Sequence, residues 1–220
     1  MFPFSMRRVV ALALIGFGAG CLAWYGLELG RSSAFQREQN AGLNRIMGTQ
    51  SAPTPDPATP DAAPSKTSPT PQVDVIGRLD IPRVHLSVMV MEGDDDATLK
   101  KAVGHLPDTV MPWENGNSAL AGHRDTFFRP LKDVRAGDEI RLASVRGTFV
   151  YRVRETRVVD PDDIAVLAPT PQAELTLVTC YPFYYVGHAP RRYVVRAERV
   201  DSTLVAAASA PAQQGARRPR

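Results

Sequence analysis

The longest uncharged run in the chain is Val9 to Leu27, 19 residues that follow Arg7-Arg8 and carry Trp24 and Tyr25 near their outer end. A helix of that length spans a hydrocarbon core, and aromatic rings favour the interface where such a helix emerges. The basic pair predicts a cytoplasmic N-terminus, with everything after Glu28 exported. A cleaved signal peptide and a lipoprotein signal ending at Cys21 are the alternatives. Gly18 stands where the latter carries leucine, and the residues after Cys21 stay apolar, so an uncleaved anchor over 1–30 is the better reading. The pattern then turns polar and compatible with a helix from Arg31 to about Met47, and from Gly48 to Gln72 it is rich in Pro, Thr, Ser and Ala. That composition buries too little apolar surface to offset the entropy of ordering, so 31–72 is expected to be a spacer. The same reasoning makes 201–220 a disordered basic tail.

Between these segments, over 73–200, apolar and polar positions alternate in short runs bounded by turn residues. Val75–Ile81, ended by Pro82, and Leu86–Val90 read as strands, and Ser118–Ala121 as another. Glu139–Val145 and Thr148–Thr156 flank Arg146-Gly147 as a hairpin, with Phe149, Tyr151 and Val153 on one face and Arg152 and Arg154 on the other. Two further strands flank Cys180. Asp94–Val103 is the one convincing helix: aspartates crowd its first turn, where they complement the macrodipole, and Gly104 ends it. Seven or eight short strands with one helix predict an all-β fold, a closed or nearly closed barrel.

Charge narrows the function. The formal net charge is +3, yet residues 73–200 hold 17 Lys/Arg against 18 Asp/Glu, so the excess belongs to the flanking segments and no basic face supports nucleic-acid binding. The aspartates at 94–96 point in different directions on a helix and lack the spacing of a calcium loop, so neither a metal nor another cofactor is expected.

Cys180 is the only thiol outside the apolar N-terminal run, so the exported domain has no internal disulfide partner for it. In Leu175-Thr-Leu-Val-Thr-Cys180, alternation points Thr176, Val178 and Cys180 one way and Leu175, Leu177 and Thr179 the other. Tyr181-Pro182 ends the strand, which leaves Cys180 at a rim that substrate can reach. An inert buried cysteine is the bland alternative. Thiol attack on a peptide carbonyl needs a thiolate, a proton donor for the leaving amine, and hydrogen-bond donors where oxyanion charge develops. Histidine and arginine supply the last two. Of the four histidines, His85 lies in an expected strand and reads as structural, His105 reads as a satisfied turn residue, and His188 as a bystander in a loop. His123 emerges after Ala121-Gly122 at the end of a short apolar strand, a better scaffold for a positioned acid.

These residues together resemble the sortases, membrane-anchored cysteine transpeptidases of bacterial surfaces. TLVTC at 176–180 is similar to their cysteine signature, AGHRDTFFRPL at 121–131 to their histidine motif, and Arg192 with the following YVVRA to their arginine strand. EGDDDATL, AGHRDTFF and TCYPFYYVG look most like class D sortases, and a single N-terminal anchor agrees. The resemblance covers about Val75 to Val200 and implies an eight-stranded sortase barrel with one or two short helices. It implies that Cys180 attacks an LPXTG-like sorting signal to give a thioacyl enzyme, that His123 handles the proton, and that Arg192 steadies the oxyanion. Arg191 is the rival of Arg192 for that role. By the same analogy Ala121 and Thr179 line the groove near the scissile bond, and Ile164, Val166 and Leu167 hold the Leu-Pro of the signal. The partners implied are proteins with a C-terminal sorting signal, an amine acceptor such as a peptidoglycan stem or cross-bridge, and the membrane, with the catalytic domain at the cell surface or in a periplasm. A cysteine endopeptidase that hydrolyses the same substrates, and an anchored binding domain with a structural Cys180, are the alternatives.

Overall fold

Alternating apolar residues bury one face of each strand, and a sheet of short strands protects its edges by closing on itself. The computed structural model describes residues 4–50 and 75–200. Eight strands form the barrel: β1 (Val75–Ile81), β2 (Leu86–Glu92), β3 (Val103–His105), β4 (Asn117–Ala121), β5 (Glu139–Ser144), β6 (Gly147–Val159), β7 (Glu174–Tyr181) and β8 (Arg191–Arg199). Around the barrel they run β1-β2-β3-β4-β7-β8-β6-β5, and β5 closes onto β1. Leu79, Ile81, Val90, Leu120, Leu142, Tyr151, Leu175, Leu177 and Val195 fill the interior. The expected tail at 201–220 and residues 51–72 of the expected spacer lie outside the described residues.

Two pairings are parallel, β2 with β3 and β4 with β7. The second matters for chemistry, because parallel neighbours end on the same rim. Ala121 lies beside Val178, so the chain leaving β4 emerges next to the end of β7.

The helix expected over Asp94–Val103 is shorter. Helix α2 covers Asp96–Leu99, capped by Asp95, whose carboxylate accepts from the amides of Ala97 and Thr98. The hydrogen bonds from the Thr98 hydroxyl and these amides hold the Asp95 carboxyl below its usual range. Val103 already belongs to β3, which the barrel needs to bridge β2 and β4. Gly104 permits this, since a Cβ there would stand 2.2 Å from the Gly93 carbonyl oxygen. Two histidines differ from expectation for related reasons. His105 lies in β3, not in a turn, fully buried with Nδ1 3.0 Å from Glu92 Oε2 and Nε2 3.0 Å from the Val110 carbonyl. His85 is not in a strand but in an exposed left-handed turn (φ 53°) closing the 3-10 helix Pro82–Val84.

Helix α1 runs without a break from Phe4 to Gln50. Its first half has a stretch long and apolar enough to cross a membrane, and its Leu14 (66%) and Phe17 (73%) are exposed. Its second half docks on the barrel. The Gln36 side chain donates to the Lys101 carbonyl (2.6 Å) and accepts from the Met89 amide (2.8 Å). Arg78 of β1 donates to the side-chain oxygens of Asn40 and Asn44, while Leu43 packs on Met89 and Ala102.

Candidate active site

The rim where β4 and β7 end carries Cys180 and, just past β4, His123. Leu175 and Leu177 point into the barrel, so alternation turns Thr176, Val178 and Cys180 to the outer face. Cys180 is half-buried and free. Ala121, also half-buried, lies beside Val178 on the same face.

His123 owes its position to Gly122, which β7 grips twice. The Gly122 amide donates to the Val178 carbonyl (3.2 Å), and the Thr179 hydroxyl donates to the Gly122 carbonyl (2.7 Å). Above Gly122 lies the ring of Phe128, fully buried, and a Cβ at this glycine would meet that ring at 2.8 Å. The His123 carbonyl accepts from the Phe128 amide (3.0 Å), which turns the chain back over the barrel. Among the described residues the His123 ring has no hydrogen-bond partner, so both nitrogens are open to a ligand.

Register puts the two arginines on opposite faces of the sheet. Cys180 pairs with Arg192 and Tyr181 with Arg191 across β7 and β8, so Arg192 shares the cysteine's face. Directly opposed residues on an antiparallel pair have Cβ atoms about 5 Å apart. Arg191 turns away and pairs with Asp160 (3.6 Å). Arg192 Nη1 donates to the carbonyls of Ala189 (3.4 Å) and Arg191 (3.2 Å), and its Nε and Nη2 have no partner among the described residues.

Cys180, His123 and Arg192 line one cavity of about 440 Å³, with Arg124, Asp125 and His188. No sequence-based expectation attaches to Arg124. Its guanidinium donates to the carbonyls of Pro182 (3.1 Å), Tyr185 (2.9 Å) and Gly187 (3.1 Å) and stacks over the Tyr185 ring at 5.7 Å. Arg129 covers Tyr184 in the same way at 5.4 Å. The loop between β7 and β8 is thereby latched to the segment that carries His123. Below it, Tyr181, Phe183 and Tyr193 form an aromatic cluster with centroids 5.1 to 6.2 Å apart, which supports the loop from the core. The available signal was a cation directly after the histidine together with an aromatic loop, but 61 residues separate Arg124 from Tyr185. His188, read as a bystander, lines the cavity as an exposed residue.

The other expected contacts are placed differently. Thr179 is 3% exposed and faces inward, so its hydroxyl holds Gly122 and is not presented to the groove. Ile164, Val166 and Leu167 form the 3-10 helix Ile164–Leu167, fixed by Asn117, which donates to the carbonyls of Val166 (3.0 Å) and Ala168 (3.2 Å). Ile164 is 77% exposed, and Val166 and Leu167 are half-buried. None of the three borders the cavity that holds Cys180.

The chain is similar to known proteins over most of its length. Residues 79–200 match the family model described as the Sortase domain. Sortase D of Bacillus subtilis strain 168 is 35% identical over 199 residues, 89% of this chain and 100% of that protein. Sortase A of Listeria monocytogenes is 34% identical over 111 residues, 48% of this chain and 49% of that protein. Among solved structures, a Clostridium perfringens Sortase D5 transpeptidase is similar with a TM-score of 0.53 and 32% identity, covering 58% of this chain and 79% of that one. Sortase C-1 of Actinomyces oris gives a TM-score of 0.54 and 33% identity over 59% and 76%.

Proposed function

The chain belongs to the sortase family and is a cysteine transpeptidase, and from that premise we propose that it cuts an LPXTG-like sorting signal and joins the released protein to an amine. The Cys180 thiolate attacks the carbonyl carbon of the threonine in the signal. As the C–N bond breaks, His123 gives its proton to the departing amine, and a thioester to Cys180 remains. An incoming amine then attacks the thioester, His123 takes up its proton, and the S–C bond breaks to return the thiolate. Arg192 offers Nε and Nη2 to the oxyanion formed in each half-reaction, a task its planar fork suits better than a lysine. Transfer takes place outside the cytoplasm, with α1 as the anchor and residues 73–200 as the catalytic domain. The Leu-Pro of the signal extends beyond that cavity, past Ala121 and toward the apolar turn at 164–167.

The observation that carries this reading is the single cavity shared by Cys180, His123 and Arg192. Incubation with an LPXTG-type peptide, with and without an added amine, tests it by mass spectrometry. A thioacyl adduct on Cys180 and a ligated product are expected, and Cys180→Ala removes both. Hydrolysed product alone would assign the chain as an endopeptidase, and no adduct with any sorting-type peptide would overturn the mechanism. Arg192→Ala is expected to lower kcat/KM by roughly 10²-fold or more, as the loss of an oxyanion donor does, whereas Arg191→Ala changes it little.

A further inference from the structure

Val186 is the most exposed large apolar side chain among the described residues, at 99%, and Tyr184 and Tyr185 beside it are exposed as well. A contiguous apolar patch in water marks a contact surface when the fold holds it out. Here it does. Arg124 donates to the carbonyls of Pro182, Tyr185 and Gly187, Arg129 lies over the Tyr184 ring, and Gly187 turns the chain at a φ of 99°. Neither arginine is paired with a carboxylate among the described residues, so apolar tips stand over two cations whose charge is not neutralised by an ion pair.

Position says what this surface faces. The loop leaves the end of β7, on the rim that carries Cys180. α1 passes the same rim, where its Trp24 and Tyr25 line a cavity with His123, Thr126 and Phe127. The apolar run of α1 therefore ends level with the loop, and only the segment 123–129 separates the two. We propose that Tyr184, Tyr185 and Val186 seat the catalytic rim on the bilayer surface, with Arg124 and Arg129 facing the phosphates of anionic phospholipids. This surface rests on the reading of α1 as the anchor and continues the membrane contact that α1 begins. Tyrosine rings and basic side chains are the groups that favour the membrane interface. A loop fixed in advance loses little conformational freedom on contact. Two points of attachment, α1 and the loop, then hold the thiol toward the plane of the membrane.

The test uses the full-length protein, one chain per phosphatidylcholine nanodisc, with labelled valine and leucine methyl groups and a phospholipid carrying a nitroxide at its headgroup. Leu27 of α1 reports the anchor, and Val145, exposed in the β5–β6 hairpin at the opposite end of the barrel, is the control. Broadening of the Val186 methyl signals is expected to approach that of Leu27 and to exceed that of Val145 several-fold, and Tyr184→Ser to reduce it. Phosphatidylglycerol is expected to strengthen the contact, and Arg129→Gln to lower that gain about fivefold, the worth of one cation at an anionic surface. Unshifted methyl signals from the barrel interior show that each variant is folded. Val186 as sharp as Val145 beside a broadened Leu27 would overturn the surface while the anchor stands. A sharp Leu27 would overturn the anchor and the surface with it. No gain from phosphatidylglycerol would overturn the role of the arginines. Shielding of Val186 that appears only when a sorting peptide is added, and without lipid broadening, would assign the tip to substrate and overturn the membrane contact.

Discussion

Gly122 sets the position of His123, and its own neighbours leave it no room. β7 holds its amide and its carbonyl, and the Phe128 ring closes the third side. Gly122→Ala drives a methyl into that ring, so the ring or the His123 backbone must move. Overpacking of this kind costs about 1–3 kcal/mol, and a shift near 1 Å in a catalytic group costs on the order of 10²-fold in rate. A lowered Tm together with lowered turnover is expected, and a variant with parent turnover would show that the contact does not position His123. Arg124 works on the opposite wall through three hydrogen bonds and a ring contact. With Arg124→Ala the loop at 183–189 loses its latch, so its amides are expected to exchange hydrogen about tenfold faster or more. Arg124→Lys keeps the charge but lacks the fork, and is expected to restore little of the protection.

The element that departs most from a simple reading of composition is the second half of α1. Its surface is polar, yet Gln36, Asn40 and Asn44 spend their amides on the barrel, and Leu43 adds a small apolar contact. A polar helix face can be an interface when each amide meets a backbone group or an arginine with matching geometry. Replacing Gln36, Asn40 and Asn44 together by alanine is expected to leave the barrel folded and free this half of α1. Limited proteolysis in detergent reads the change as new cleavage within 31–50, and continued protection would mean that other contacts hold the helix. The strands were legible at this scale because alternation is local. The third strand was not, because Val103–His105 is short, follows a capped helical turn, and exists only through its ladders to β2 and β4.

For the whole molecule, barrel closure buries one titrating group that contributes to stability at high pH. Tyr151 is fully buried, its hydroxyl donates to the Pro112 carbonyl, and burial pushes the phenol up to about 12. Its pKa is thus higher in the folded chain than in the unfolded one, which ionises near 10. Stability from this group is fully present below pH 10 and is lost between about pH 10 and 12, at up to roughly 1.4 kcal/mol per pH unit. Melting curves from pH 9 to 11.5 are expected to show this decline, and Tyr151→Phe to flatten it. An unchanged slope in that variant would assign the decline to other groups.

The sequence by itself determined what short-range pattern carries: an apolar run of membrane-spanning length, strands with one buried face, and a thiol at a strand end. These follow from periodicity and composition, which neighbouring residues share. Only the tertiary structure decided which distant residues meet. The parallel pairing of β4 and β7 brings His123 to Cys180 across 57 positions, and the β7–β8 register sets Arg192, not Arg191, opposite Cys180. It also turned Thr179 inward, latched the loop to Arg124, and laid α1 against the barrel beside His123. Each of these depends on a hydrogen-bond ladder or a packed surface between segments far apart in the chain, and no local pattern encodes the offset at which two such segments pair.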